Sequence, residues 1–244
     1  GGAVTRVLGH RALRAVDVTD HGGGRHRFGC DLLAISGGWN PTVHLTSHHG
    51  ARPVWDPARA AFVPPAQLPP RMAAAGAANG GLTLTVCLES GARAGAEAAS
   101  LAGFPASWPA MPPVRGEESD AQYPLWRVRG SRGKSFVDFQ NDVVAADVEL
   151  AQREGFRSVE HLKRYTTLGM ATDQGKTSNV NGLALMAEIS ERSIAETGTT
   201  TFRPPYTPVA IGALAGDHRG KDFRPTRLTP THDWASAQGA VFVE

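Results

Sequence analysis

The apolar and polar positions change period several times along the chain, and each change predicts a different element. Val4 to Leu8 and Ala12 to Val18 alternate apolar with polar residues around a short turn, the period of two expected of an antiparallel strand pair. Both strands should be half exposed. Cys30 to Ser36 is instead a continuous apolar run closed by Gly37 and Gly38, which predicts a strand buried on both faces, as in a parallel sheet. Trp39 to Pro70 is polar and proline-rich, and Leu82 to Leu101 has the composition of a helix. Gly91 and Gly95 lie one turn apart in it, a bare stripe that admits either close helix-to-sheet packing or the approach of a ligand.

Phe104 to Gly133 carries Pro105, Pro109, Pro112, Pro113 and Pro124 with few periodic apolar positions, so it reads as a linker between compact units. Three helices follow, over Ala145 to Glu154, Ser158 to Thr167 and Ser178 to Glu191. Ser158 and Ser178 stand as N-caps, Gly155 and Gly169 as C-terminal stops, and a small helical module is the expected assembly. Thr199 to Pro230 cannot continue as helix through Pro204, Pro205 or Pro208, and predicts an extended contact arm.

Composition narrows the partners. A chain of 244 residues, 41% of them hydrophobic, can bury a sizeable core. Its 25 basic and 23 acidic residues nearly cancel to a formal charge of +2, with no long block of one sign, so no nucleic acid is expected. No apolar run reaches about 18 residues and Gly1 to Arg14 lacks the order of a signal peptide, so no membrane association is expected. Cys30 and Cys87 are too few for a disulfide framework, which points to a cytoplasmic setting.

Three apparent motifs fall away on spacing. Gly175-Lys176-Thr177 resembles the end of a phosphate loop, but five residues separate Gly169 from Gly175 where four are needed, and the preceding segment has a helical pattern. His44, His48 and His49 cluster without a carboxylate or cysteine at ligand spacing, and read as exposed side chains on a loop. His232, Asp233 and Ser236 sit in one short segment, unlike a hydrolase triad drawn from distant parts of a fold.

Two longer stretches resemble known families. Cys30 to Pro41 (CDLLAISGGWNP) with Ala75 to Ala99 (AGAANGGLTLTVCLESGARAGAEAA) resembles the closing part of a two-dinucleotide-binding, Rossmann-like flavoprotein domain. Relatives that hold FAD carry an Asp after the glycine of the second motif. Ala77 stands there, which implies NAD in place of FAD, with Ala77, Leu82 and Leu84 as its contacts. Phe136 to Val143 (FVDFQNDV) and Glu154 to Ser178 (EGFRSVEHLKRYTTLGMATDQGKTS) resemble the small domain that binds a two-iron two-sulfur cluster in amine and amino-acid dehydrogenases. The four ligand positions carry over to Asp138, Gln140, Asp173 and Ser178, none of them a thiol, so the resemblance implies a kept fold without metal.

That loss, together with Arg164 to Gly182 and Thr199 to Gly216, is similar to the alpha subunit of heterotetrameric sarcosine oxidases, as an internal stretch of it. Thr229 to Glu244 resembles the entry to an aminomethyltransferase-like folate domain. The implied fold class is α/β, divided into residues 1–103 (the end of the NAD-binding domain), a linker at 104–133, a cluster-less helical domain at 134–198, an interface arm at 199–226 and the start of the folate domain at 227–244.

The resemblance further implies oxidative demethylation of sarcosine to glycine, with hydrogen peroxide and either formaldehyde or 5,10-methylenetetrahydrofolate as products. FMN would lie at the alpha/beta boundary, FAD in the partner beta subunit and tetrahydrofolate in a domain beyond this chain, with gamma and delta subunits completing the assembly. Arg164, Thr166, Gln174, Lys176 and Thr177 are the expected FMN-phosphate contacts, since guanidinium, ammonium and hydroxyl donors suit phosphate. No catalytic group and no metal ligand are expected here. The rival readings are a subunit of an opine or proline-type dehydrogenase, and a noncatalytic assembly scaffold.

Overall fold

The computed structural model describes residues 1–131, 133–218, 220 and 227–242. They form two compact units, Gly1–Thr207 and Pro208–Glu244. The boundaries expected at 103/104, 133/134 and 198/199 fall inside the first unit. Residues 219 and 221–226 of the expected arm, and residues 243 and 244 of the expected folate-domain entry, lie outside the described set.

The first unit opens with an antiparallel meander in the order β1 (Gly2–Gly9), β2 (Leu13–Asp20), β3 (Arg25–Gly29). The alternating pair is as expected, and β3 extends it. In β3 the pattern Arg25-His26-Arg27-Phe28 is mostly charged and every residue is exposed, so no apolar alternation announces it. Asp20 closes the intervening turn by accepting hydrogen bonds from the Gly22 and Gly24 amides at 2.9 and 2.8 Å.

The parallel strand expected at Cys30 to Ser36 is absent. These residues have no regular structure, and Leu32 and Ile35 are 77% and 81% exposed. An apolar run becomes a buried strand only where neighbouring strands and covering helices meet it, and among the described residues every paired strand is antiparallel. The passage from Trp39 to Pro70 is more ordered than its prolines suggest. It holds α1 (His44–His48) and a hairpin of β4 (Val54–Asp56) with β5 (Ala61–Val63).

A 3₁₀ turn at Gly76–Asn79 leads into α2 (Leu84–Leu101), where the Thr83 hydroxyl caps the helix by accepting from the Val86 amide at 3.3 Å. No residue of α2 is buried, and a side chain placed at Gly91 or Gly95 would meet open space. No sheet packs against that stripe among the described residues.

The core lies in the helical module: β6 (Phe136–Asp138) paired with β7 (Val143–Val144), then α3 (Ala145–Arg153), α4 (Val159–Thr166), α5 (Asn179–Ile189) and α6 (Ile194–Thr197). Val148, Leu162, Leu168, Leu183 and Met186 are buried together, and Phe62 of β5 joins them with Trp55 of β4 packed alongside. The hairpin is therefore part of this module although about 70 residues separate them in sequence. At about 25 cal/mol per Å² of apolar surface, burying each of these aliphatic side chains is worth about 1.5–3 kcal/mol before entropy is counted.

The expected helix signals hold in part. Ser158 caps α4, its Oγ accepting from the His161 amide at 3.2 Å. Gly155 at φ 93° follows α3 in the left-handed conformation that glycine adopts without cost, whereas α4 is closed by Thr167, itself at φ 64°, two residues before the expected stop at Gly169. Ser178 precedes α5 but does not cap it; its hydroxyl is buried and turned to Asp138. The second unit contains α7 (Ile211–Ala215) and α8 (His232–Ala237), both fully exposed along their described residues or nearly so.

Candidate functional site

Asp138 organises the loop that follows α4. It is 2% exposed, and its carboxylate accepts hydrogen bonds from the amides of Gln140 at 2.8 Å, Asn141 at 3.2 Å and Gly169 at 2.8 Å, with the Ser178 hydroxyl at 3.5 Å. A buried carboxylate is tolerable when its lone pairs are filled in this way. The loop then folds over Asn179, the first residue of α5, which is buried against both Gly169 and Gly175. A Cβ on either glycine would collide with the Asn179 side chain.

Of the four carried-over ligand positions, Asp138 and Ser178 come together. Gln140 contributes its backbone amide to Asp138. Asp173 turns away to close a local bend, accepting from the Gly175 amide at 3.1 Å and the Thr177 hydroxyl at 2.8 Å. Those bonds outweigh the penalty of partial burial, the largest single influence on it, and hold its carboxyl below the usual range. An iron–sulfur cluster needs thiolates. The only cysteines are remote from this loop in sequence, Cys87 making a bond to the Gly81 carbonyl, and the interior of the loop is filled by Asn179. The residues present do not fit a cluster.

The five FMN-phosphate candidates divide into two groups. Gln174, Lys176 and Thr177 share the Asp173 bend. Their donors are already engaged: Gln174 Nε2 with the Ala171 carbonyl, Thr177 Oγ1 with Asp173, and Lys176 Nζ with the carbonyls of Asp173 and Tyr206 at 3.1 and 2.7 Å. On α4, Thr166 bonds back to the Leu162 carbonyl, a common fate of threonine in a helix. Arg164 is exposed, and its guanidinium makes no hydrogen bond among the described residues.

Lys176 also lies 3.8 Å above the Tyr206 ring, which ties the segment 202–206 to the loop. Tyr206 also meets His44 at 4.8 Å between ring centroids, and His44 meets His48 at 5.6 Å. Of the histidines expected on an exposed loop, His44 and His48 are on α1 and partly buried, His44 Nδ1 and His48 Nε2 both lacking a hydrogen-bond partner among the described residues; His49, just past the helix, is exposed. Burial, reinforced by the charges of His48 and Lys176, depresses the His44 pKa.

The three NAD candidates surround the start of α2. Ala77 lies in the 3₁₀ turn and is exposed, Leu82 is half-buried before the helix and Leu84 opens it, 55% exposed. The anion-accepting amides are taken by the chain itself. Glu118, from the proline-rich passage, accepts from Leu84 N at 2.6 Å, Thr85 N at 3.1 Å and the Thr85 hydroxyl at 2.5 Å. These bonds, the Thr85 hydroxyl first, lower the Glu118 pKa, as expected of a carboxylate at a helix N-terminus. Sequence reasoning missed Glu118 and Tyr206, each a long-range partner with no local signature, and Asn179, which packs on the nearby Gly169 and Gly175.

Residues 132–218 match the family described as the sarcosine oxidase A3 domain. The chain is 48% identical over 242 residues to the sarcosine oxidase subunit alpha of Rhizobium meliloti (strain 1021), covering 99% of this chain and 24% of that protein. It is 44% identical over 245 residues to the subunit of the same name from Corynebacterium sp. (strain P-1), covering 94% and 25%. The chain therefore spans about a quarter of the length of these curated relatives. Among solved structures, the L-proline dehydrogenase of P. horikoshii aligns with a TM-score of 0.65 at 21% identity, over 87% of this chain and 44% of that one, a likeness of fold alone.

Proposed function

Because the chain is a relative of sarcosine oxidase alpha subunits along nearly its whole length, we propose that it forms part of such a subunit and serves oxidative demethylation of sarcosine to glycine. Hydrogen peroxide and either formaldehyde or 5,10-methylenetetrahydrofolate would be the other products. The observation that carries the reading is the identity of 43–48% with three alpha subunits. The proline-dehydrogenase alternative has fold likeness at 21% identity behind it.

The role proposed for these residues is positional, within an assembly of alpha with beta, gamma and delta subunits in the cytoplasm. No proton-transferring side chain for amine oxidation is assigned among them. FAD would belong to the beta subunit and tetrahydrofolate to a domain outside this chain. For NAD the proposed contacts remain Ala77, Leu82 and Leu84, and a pyrophosphate there would have to displace Glu118 from the first amides of α2.

For FMN, flavin chemistry would be supplied at the alpha/beta boundary, and this chain would contribute phosphate contacts. Arg164 suits that role best, because its donors are not engaged among the described residues, whereas Lys176 would first leave Tyr206 and Asp173. Thr166, Gln174 and Thr177 would likewise exchange internal bonds for the ligand.

The test is to purify the complete subunit with its beta, gamma and delta partners, then measure bound flavin, bound NAD and sarcosine-dependent peroxide release. Flavin and NAD retained with the assembly, and FMN reduced in Arg164→Ala, are the expected results. An Arg164→Ala, Lys176→Ala assembly with full FMN content would reject the phosphate contacts, and an assembly inert to sarcosine would reject the activity.

A further inference from the structure

On one face of the meander, polar side chains gather in the rows through Asp17 and Thr19, and its register fixes which of them meet. Arg6 of β1 stands opposite Asp17 of β2, and Asp17 opposite Arg27 of β3, so that one row crosses all three strands. The next row on the same face pairs Thr19 with Arg25. Three guanidiniums therefore converge around a single carboxylate.

That carboxylate is committed to one of them. Arg27 donates to both Asp17 oxygens, from Nε at 2.7 Å and Nη2 at 3.1 Å, a bidentate pair. The Arg27 hydrogen bond is the chief reason the Asp17 pKa lies low, and the charges of Arg6 and Arg25 lower it further, which marks how near both stand. Neither Arg6 nor Arg25 has an ion-pair partner of its own among the described residues. The face carries a local excess of positive charge although the whole chain is nearly neutral.

The same face is the floor of a cleft of about 920 Å³, roofed by the segment Leu125 to Gly130. Leu125 and Val128 give the roof an apolar character; Arg129, at the rim, is paired with Glu188. The volume falls in the range of small-molecule sites. None of the eight cofactor candidates lines it.

We propose that this cleft binds an organic phosphate monoester. Its phosphate bridges the guanidiniums of Arg6 and Arg25, and its apolar body lies beneath Leu125 and Val128. Guanidinium forks match phosphate oxygens in pairs, and the anion would offset the positive excess of Arg6, Arg25 and Arg27 over the two carboxylates that line the cleft, Asp17 and Asp20.

Titration of the full chain with phenyl phosphate at low ionic strength, followed by calorimetry, tests the assignment, with inorganic phosphate as the comparison ligand. Saturable binding is expected, tighter for phenyl phosphate, weakened about tenfold or more by Arg6→Gln and by Arg25→Gln, since each removes a charge-assisted hydrogen bond. Asp17→Asn should act in the opposite direction and tighten binding, a sign that mere disturbance of the sheet would not produce. Circular dichroism of each variant guards against misfolding. Absence of saturable binding, equal binding by the Arg6→Gln, Arg25→Gln double variant, or binding of an acidic peptide in place of phenyl phosphate would overturn the proposal.

Discussion

Asp138 is the residue whose loss should be felt most within its module. Replacement by Ala strips the acceptor from the amides of Gln140, Asn141 and Gly169 at once, and an unsatisfied buried donor costs about 1–3 kcal/mol. Urea unfolding of Asp138→Ala should show a loss of at least about 2 kcal/mol, allowing for water reaching one of the amides. The glycines make a sharper comparison. Gly155 and Gly175 both adopt positive φ, 93° and 74°, so Ala at either carries a backbone penalty of about 1–2 kcal/mol. Only at Gly175 does the new methyl also strike Asn179. Gly175→Ala should therefore be the more destabilising of the two by the same measurement, and equal losses would show that Asn179 yields freely.

His44 gives this chain a pH dependence whose direction is fixed. Its folded-state pKa is depressed, so the unfolded chain, with an ordinary value of about 6.5, binds the proton more readily. Stability from this group is complete above about pH 6.5 and declines as the pH falls below that value toward the lower folded pKa. Denaturation midpoints measured from pH 7.5 to 5 should fall for the parent and fall less for His44→Gln. No reading of the sequence reached this, because the ring that buries His44 belongs to Tyr206, more than 160 positions away.

At the scale of elements, the sequence is most legible where the determinants are local. The three helices between residues 145 and 189 follow from apolar periodicity, with Ser158 and Gly155 each within a residue or two of the end it sets. Legibility fails where an element depends on a distant partner. Ser178 has the type of a cap but is drawn to Asp138, 40 residues away, and Cys30 to Ser36 has the apolarity of a core strand without strands to pair with it. The cap of α2 offers a local check. Thr83→Ala should loosen the first turn by about 1 kcal/mol, visible as faster amide exchange at Val86 with exchange in α5 unchanged.

For the whole molecule, the decisive fact is where apolar burial is concentrated. Every residue of the core cluster lies between Phe62 and Met186, and none belongs to the unit Pro208–Glu244. A chain shortened to Gly1–Thr207 should thus retain a cooperative transition at an unchanged denaturant midpoint, and a marked drop would show that the core was wrongly located. By contrast, the candidate cofactor residues are scattered over two regions, the start of α2 and the stretch from α4 into the loop after it. Spacing alone gave no means of choosing between engaged and available donors there; that distinction required Glu118, Asp173 and Tyr206 to be seen in place.

Asn179 has a kinetic corollary. Its side chain fills the inside of the strap from 169 to 178, between Gly169 and Gly175, and Asp138 also holds that strap through the Gly169 amide. Any guest that needs the inside of the strap must wait for it to open, so its arrival would be paced by the protein's own motion and would level off at high guest concentration. A guest content with the outer surface would show no such ceiling.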